Sequence, residues 1–71
     1  MATDIRIWIG RRIRHLRDEK GWTQQILADH AGMNREHLSD IENGKYDPSS
    51  GTVEKIAKAL GISMEIFFKG R

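Results

Sequence analysis

The sequence predicts an all-α fold of five helices. Apolar residues recur at spacings of three and four, and no stretch alternates polar with apolar residues for long, which is the periodicity of amphipathic helices rather than of strands. Asp, Thr, Asn or Ser precedes each helical stretch, as is typical of N-caps, and glycine follows four of the five. These glycines are Gly21, Gly32, Gly44 and Gly61.

The first predicted helix covers about residues 4–20. Either Thr3 or Asp4 can accept a hydrogen bond from its first turn, and Gly21 ends it. One apolar stripe should face the core. The stripe consists of Ile5, Ile9, Ile13 and Leu16.

The second and third helices repeat one start signal. Thr23 and Asn34 are N-cap candidates eleven residues apart, and Gly32 lies between the two helices. A glycine supplies the positive φ that a tight turn between helices needs. The plan of a short helix, a glycine turn and another short helix predicts a helix-turn-helix over about residues 23–43.

The last two helices follow the one long loop, residues 45–51. Ser49 or Ser50 can cap the fourth helix, and Ser63 can cap a final helix over residues 64–69. The inward positions of the fourth helix are Val53, Ile56, Ala57 and Leu60.

Composition favours one small cytoplasmic domain, residues 1–71. The chain has no Cys, which excludes a disulfide framework and a Cys-based zinc site. Its apolar runs are too short to span a membrane, and the first residues lack the apolar segment of a secretory signal. We therefore expect no membrane partner.

Charge is unevenly distributed along the chain, although the net charge is only +2. Residues 1–22 carry six Lys or Arg against three Asp or Glu, whereas residues 23–50 carry two against five. A basic N-terminal third suggests a polyanionic partner. The alternative is a solvated helix face.

Several short motifs occur in a fixed order: "LRDEKGWTQ", "LADHAG", "LSDIENG", "PS" and "IAKALGIS". In this order they resemble the phage-repressor or Cro-like helix-turn-helix family, also called the xenobiotic-response-element family, over about residues 9–68. The "NREHLSDIE" stretch is also similar to controller proteins of restriction–modification systems. The resemblance implies a phage-repressor-like fold and a transcriptional regulator, a homodimer that reads an inverted repeat in double-stranded DNA through the major groove.

The resemblance also implies a role for individual residues. Base-reading positions fall on or beside the third helix, and phosphate-binding positions flank it. The base-reading set is Asn34, Arg35, Glu36, Ser39 and Asp40. The phosphate-binding set is Gln24, Asn43, Lys45 and Tyr46, together with spare donors of Arg17.

Three positions depart from the family pattern. The family usually has Glu where Ile26 stands, an acidic residue where Ile66 stands and Leu where Ser50 stands. Both isoleucines fall on faces expected to be exposed, so these changes alter the ordinary surface rather than the base-reading positions.

Glu42 falls on the core side of the third helix. At 100° per residue it lies about 40° from Leu38, so it is not a base-reading residue. A carboxylate on that side needs a partner. Arg17 lies next to the inward stripe of the first helix, and the resemblance also implies an Arg17–Glu42 pair; the alternative is a surface Glu with no partner.

Glu36 and Asp40 point away from the core and lie four residues apart, so like charges meet on one face. Such carboxylates can accept from cytosine N4, or they can brace Arg35 while it reads guanine. The alternative is an antitoxin-like protein-interaction module that presents this acidic face to a basic partner.

Other chemistry is weakly supported. His37 and Asp40 could form half of a metal site, but no further ligands are suitably spaced. Ser39 cannot form a triad with these two, because all three lie on adjacent turns of one short helix. We predict no enzyme, metal, cofactor or small-molecule ligand.

The C-terminal residues carry more apolar surface than one core needs. Phe67 packs inward by family resemblance, which leaves Ile66 and Phe68 as a candidate dimer interface. The alternative is that Phe68 covers the core against Trp8 and that Ile66 is a lone surface residue.

Overall fold

The computed structural model describes residues 4–70, and it confirms the predicted all-α fold. Within those residues no strand occurs. None of the helices in this part of the chain has the length and apolar character needed to cross a bilayer. The helices are α1 Ile5–Glu19, α2 Gln24–Ala31, α3 Arg35–Glu42, α4 Ser50–Ala59 and α5 Met64–Phe67.

Each helix begins at a side chain that accepts a hydrogen bond from its first turn. Asp4 caps α1, where its Oδ1 accepts from the Arg6 amide at 2.9 Å; the other candidate, Thr3, lies outside the described residues. Ser49, rather than Ser50, caps α4, because its Oγ accepts from the Thr52 amide at 3.1 Å. The remaining N-caps are Thr23, Asn34 and Ser63, all as predicted.

The final helix is shorter than the predicted 64–69. It ends at Phe67, where the carbonyls of Ile66 and Phe67 accept from the Arg12 guanidinium at 3.0 and 2.9 Å. Arg12 therefore satisfies two carbonyls of the last turn from α1. These hydrogen bonds, which connect α1 to the end of α5, were not predicted from the sequence.

The core lies where the predicted apolar faces meet. Ile9 and Ile13 of the α1 stripe are buried, while Ile5 and Leu16 pack against the edge of the core. Phe67 is fully buried, as the family resemblance implied. The other buried apolar residues are Leu27, Ala28, Ala31, Leu38, Ile41, Val53, Ile56, Ala57 and Leu60.

Helix α1 crosses the end of α3 at Gly10. A Cβ at this position would lie 2.6 Å from the carbonyl oxygens of both Ile41 and Glu42. Gly10 therefore allows direct backbone contact between the helices. The sequence does not reveal this role, because the need for a residue without a side chain arises only where two helices meet.

One of the two residues predicted for a dimer interface, Phe68, also packs against α1, and its place at an interface stays a prediction. Phe68 stacks on Trp8, with ring centroids 5.7 Å apart and planes 12° apart, so it is half-buried against α1. The alternative interpretation of Phe68 is therefore confirmed. Ile66 remains exposed, at 44%.

Candidate nucleic-acid interface

Helices α2 and α3 are joined by a turn of three residues, 32–34. Gly32 adopts the left-handed conformation, with φ of 66°, and the Met33 amide donates to the Ala28 carbonyl at 2.9 Å. This bond closes the last turn of α2 as in a Schellman motif. The Asn34 cap then starts α3 at once, which gives the two helices the fixed relation of a helix-turn-helix.

The buried side of α3 carries a charged cluster, which we call the Arg17–Glu42–Gln24 cluster. Arg17 donates through Nε to Glu42 Oε2 at 2.9 Å and through Nη2 to Oε1 at 3.0 Å. Gln24 Nε2 donates to the same Oε1 at 3.2 Å. The predicted pair is confirmed, and the carboxylate thus binds groups on α1 and α2 while belonging to α3.

The burial of this cluster makes it structural. The Glu42 side chain is 2% exposed and that of Arg17 is 11% exposed. The hydrogen bond to Glu42 raises the pKa of Arg17 above its ordinary value, so the guanidinium stays charged at any working pH. A bidentate pair with both oxygens engaged offsets the cost of desolvation far better than a single contact would.

The expectation that Arg17 keeps spare donors for a phosphate stays a prediction. Its Nη1 donates to the Trp22 carbonyl at 2.7 Å and lies 3.5 Å from Asp18 Oδ1. Each of its three nitrogens therefore has a partner inside the protein, but the second N–H of Nη2 is not used by these bonds. Gln24 also has a partner in Glu42, and its amide retains one N–H for another acceptor.

The outer side of α3 is exposed at Arg35 and Glu36 and half-exposed at Ser39 and Asp40. Within the described chain the Arg35 side chain makes no hydrogen bond or ion pair. Neither carboxylate braces it. Asp40 instead lies 3.9 Å from the Lys45 ammonium, a surface contact of little energy.

Asn34 has a second task besides the one that the resemblance implied. Its Oδ1 accepts from the amides of Glu36 at 2.6 Å and His37 at 3.3 Å. The oxygen is thus engaged by the cap. Only its NH₂ group is left to meet a base.

The segment after α3 returns along the same exposed side. Asn43 and Lys45 are exposed, and the Lys45 amide donates to the Asp40 carbonyl at 2.9 Å. Tyr46 is also exposed, and its ring lies 5.0 Å from the His37 ring. Three candidate phosphate-binding residues are therefore held beside the outer face of α3.

Comparison with known proteins places this arrangement in a class of regulators built on the helix-turn-helix. The family model described as "Helix-turn-helix" matches residues 13–67. The immunity repressor protein of Bacillus phage phi105 is 45% identical over 56 residues, which are 79% of this chain and 39% of that protein. Control protein C.BamHI of Bacillus amyloliquefaciens is 38% identical over 63 residues, covering 87% of this chain and 78% of that protein.

A solved structure shows the same fold with DNA. The tetramer of the restriction–modification controller protein C.Esp1396I, in complex with its natural 35 base-pair operator, superposes with a TM-score of 0.88 at 30% identity. The match covers 94% of this chain and 88% of that one. The chain belongs to the helix-turn-helix family, and the resemblances to phage repressors and to restriction–modification controllers are both confirmed.

The chain spans about half the length of several curated relatives that it matches, among them the phage phi105 repressor. The names of the relatives reported above describe regulatory proteins.

Proposed function

We propose that this protein is a sequence-specific transcriptional regulator that binds double-stranded DNA with α3 in the major groove. The observation that carries the proposal is that one side of α3 is bound to the rest of the fold while the other side is open to a partner. Arg35 has no partner on the outer side within the described chain, while Glu42 fixes the inner side to α1 and α2. A recognition helix held this rigidly presents its side chains without first having to be ordered.

Base reading is assigned to the outer side of α3 and its cap. Arg35 can donate two bonds to the O6 and N7 of one guanine. Glu36 and Asp40 can accept from cytosine N4, and Ser39 can meet several bases. The NH₂ group of Asn34 supplies a further donor.

Phosphate binding is assigned to residues on both sides of α3. Gln24 retains one N–H, and Asn43, Lys45 and Tyr46 are exposed on the segment that follows the helix. Such contacts fix the register of the protein on the duplex and carry no sequence information. Arg17 is a further candidate in this set, because the bond from its Nη2 to Glu42 uses only one of the two N–H groups on that nitrogen.

The acidic outer side of α3 has a consequence for specificity. Glu36 and Asp40 repel phosphate, so α3 does not favour DNA of arbitrary sequence. Binding then depends on bases that accept or donate hydrogen bonds at the matching positions. This increases the difference in affinity between the operator and other DNA sequences.

We further propose that the protein acts as a homodimer on an inverted repeat, with half-sites one helical turn apart, roughly 34 Å. The tetramer of C.Esp1396I on its operator supports assembly of more than one copy on DNA. The proposed setting is the cytoplasm, at or near a promoter. The proposed activity is regulatory binding, with no enzyme chemistry and no cofactor.

The test is selection of binding sites from a random duplex library at low salt, followed by affinity measurements. An enriched inverted repeat is expected. Arg35→Ala should lose about 1–3 kcal/mol of binding free energy on that repeat and relax the preference at one base pair in each half-site. Equal loss on every sequence would remove the base-reading role from Arg35.

Two control variants make this test specific. Arg35→Lys keeps the charge and loses the guanidinium fork, so it should resemble Arg35→Ala at the affected base pair. Lys45→Ala should weaken all sites alike and flatten the dependence of affinity on salt.

The rival proposal is a protein-interaction module that uses the acidic side of α3. The observation in its favour is the acidic character of this side. Glu36 has no cationic partner within the described chain, and Asp40 adds a second carboxylate with only a 3.9 Å surface contact to Lys45. Failure to enrich any motif, with weak binding that disappears as salt rises, would favour this rival. A basic protein retained by the wild type and lost by Glu36→Gln would then establish it.

A further inference from the structure

The basic side chains of α1 fall into two groups. Four of them already have partners: Arg6 binds Asp4 at 2.8 Å, His15 lies 3.6 Å from Glu19, and Arg12 and Arg17 donate as described above. Arg11 and Arg14 are exposed, and neither side chain makes a hydrogen bond or ion pair with any residue in 4–70. These are therefore the two guanidinium groups of α1 whose donors are all available to an outside partner.

Arg11 and Arg14 lie on one side of α1, three residues apart. With Ile7 they line a surface depression of about 330 Å³ whose other residues are Glu42, Asn43 and Gly44. The segment after α3 approaches α1 closely here, since a Cβ on Gly44 would lie 3.3 Å from Ile7 Cγ1. The two arginines are thus placed directly beside Asn43.

We propose that Arg11 and Arg14 bind the sugar–phosphate backbone of the same duplex that α3 reads, extending the phosphate-binding segment from Asn43 onto α1. This inference rests on the proposed function. Side chains three apart on a helix have Cβ atoms roughly 5–6 Å apart. Two flexible arginines at this separation can reach one phosphate or two successive ones, and each can bind in the bidentate mode that suits guanidinium.

The inference accounts for the charge distribution of the chain. The outer side of α3 carries two carboxylates and one free arginine, so it provides little general attraction to a polyanion. Arg11 and Arg14 provide that attraction from the neighbouring helix. Affinity for the backbone and reading of bases are thereby assigned to different elements.

The experiment measures the affinity of the full chain for its selected operator, by fluorescence anisotropy, between 0.05 and 1 M salt. Arg11→Gln, Arg14→Gln and the double variant are compared with the wild type. Lys69→Gln is the matched control, because Lys69 is exposed and lines a different depression, which includes Arg11 but neither Arg14 nor Asn43. It removes the same charge from a surface that contains no residue of the phosphate-binding segment after α3.

The double variant should reduce the slope of log affinity against log salt by about 2, and each single variant by about 1. Its affinity at 0.1 M salt should fall about 10- to 60-fold, with the deficit vanishing toward 1 M. The preferred bases should not change. Lys69→Gln should lower affinity less than threefold with an unchanged slope.

Several results would overturn the inference. An unchanged slope for the double variant would do so, as would a loss no larger than that of Lys69→Gln or a loss confined to particular base pairs. If the wild type selects no operator, the proposed function fails and this inference fails with it. If an operator is selected but the slope does not change, only this inference fails.

Discussion

Glu42 places a negative charge on the buried side of the helix assigned to DNA reading. Its two oxygens accept from Arg17 and Gln24, so the carboxylate joins three helices at one point. At the residue scale, an acidic side chain in α3 can therefore have either of two roles. Glu42 positions the helix, and Glu36, on the opposite side, is free for recognition.

Removing the buried carboxylate should destabilise the fold. Glu42→Ala leaves Arg17 without its main partner, and we expect a loss of about 2–4 kcal/mol of unfolding free energy. This value is toward the low end of what is usual for breaking a buried ion pair, because the Arg17 side chain is still 11% exposed to solvent. Urea denaturation followed by circular dichroism measures the change.

The control for that prediction is Glu36→Ala, which changes the same residue type on the exposed side of α3. It should alter stability by less than about 0.5 kcal/mol, because it breaks no contact and removes one like-charge neighbour. Similar stabilities for the two variants would mean that the buried pair contributes little.

Acid should affect the first turn of α1 before the rest of the fold. The side chain and the backbone amide of Arg6 donate to Asp4 and lower the pKa of its carboxyl below its ordinary value. A lowered pKa in the folded state stabilises the fold above the unfolded pKa, and this contribution is lost as pH falls through the folded pKa. The Arg6 amide should therefore exchange with solvent faster in that acidic range.

Asp4→Asn supplies the control for this pH effect. Asn is an equally good N-cap but does not titrate there, so the exchange rate of the Arg6 amide should lose its acid-induced rise, relative to other exposed amides. If the rise persists in Asp4→Asn, the Asp4 carboxyl is not its cause.

At the scale of elements, the crossing of α1 over α3 depends on one missing side chain. Gly10→Ala would put a Cβ within 2.6 Å of two backbone carbonyl oxygens, and backbone cannot move aside cheaply. We expect a loss of about 1–3 kcal/mol of unfolding free energy, although alanine is the better helix former. Thermal unfolding of the purified variant tests this expectation.

Gly51 offers the matched comparison. It lies in the first turn of α4, and a Cβ there would meet only Ser49 Oγ, at an ordinary 3.9 Å. Gly51→Ala should therefore stabilise the protein by about 0.4–1 kcal/mol. If Gly10→Ala lowers the unfolding free energy and Gly51→Ala raises it, close packing at Gly10 outweighs helix propensity. Changes of the same sign would contradict the close contact of α1 with α3.

At the scale of the whole molecule, the proposed homodimer depends on exposed apolar surface. Ile66 is 44% exposed and Ile26 is 38% exposed, and both stand where the family usually has acidic residues. Ile66→Glu should weaken self-association by at least tenfold if α5 forms the interface, since a buried unpaired carboxylate is costly. Sedimentation equilibrium measures the change.

Ile26→Glu is the control for that prediction, because it makes the same change on α2. Dimerisation should be unaffected by it. Loss of the dimer in Ile26→Glu alone would move the interface from α5 to α2, and a wild type that stays monomeric at high concentration would exclude the homodimer.

Local sequence determined the helices of this protein and where they begin. Each N-cap is a property of a few adjacent residues, so Thr23, Asn34 and Ser63 could be identified from the sequence alone. The pairing of Arg17 with Glu42 could also be predicted, because a helical wheel places a charge on the core side and a charge there needs a partner.

Only the tertiary structure decided which side chains the fold itself uses. Arg12 had no predicted partner, yet in the folded chain it donates to the carbonyls of Ile66 and Phe67. The sequence left open whether Phe68 packs on Trp8, and the fold brings their rings together. The backbone contact between α1 and α3 at Gly10 could not be predicted from the sequence either. Such contacts join residues far apart in the chain, so they depend on how the helices pack, and local periodicity carries no information about them.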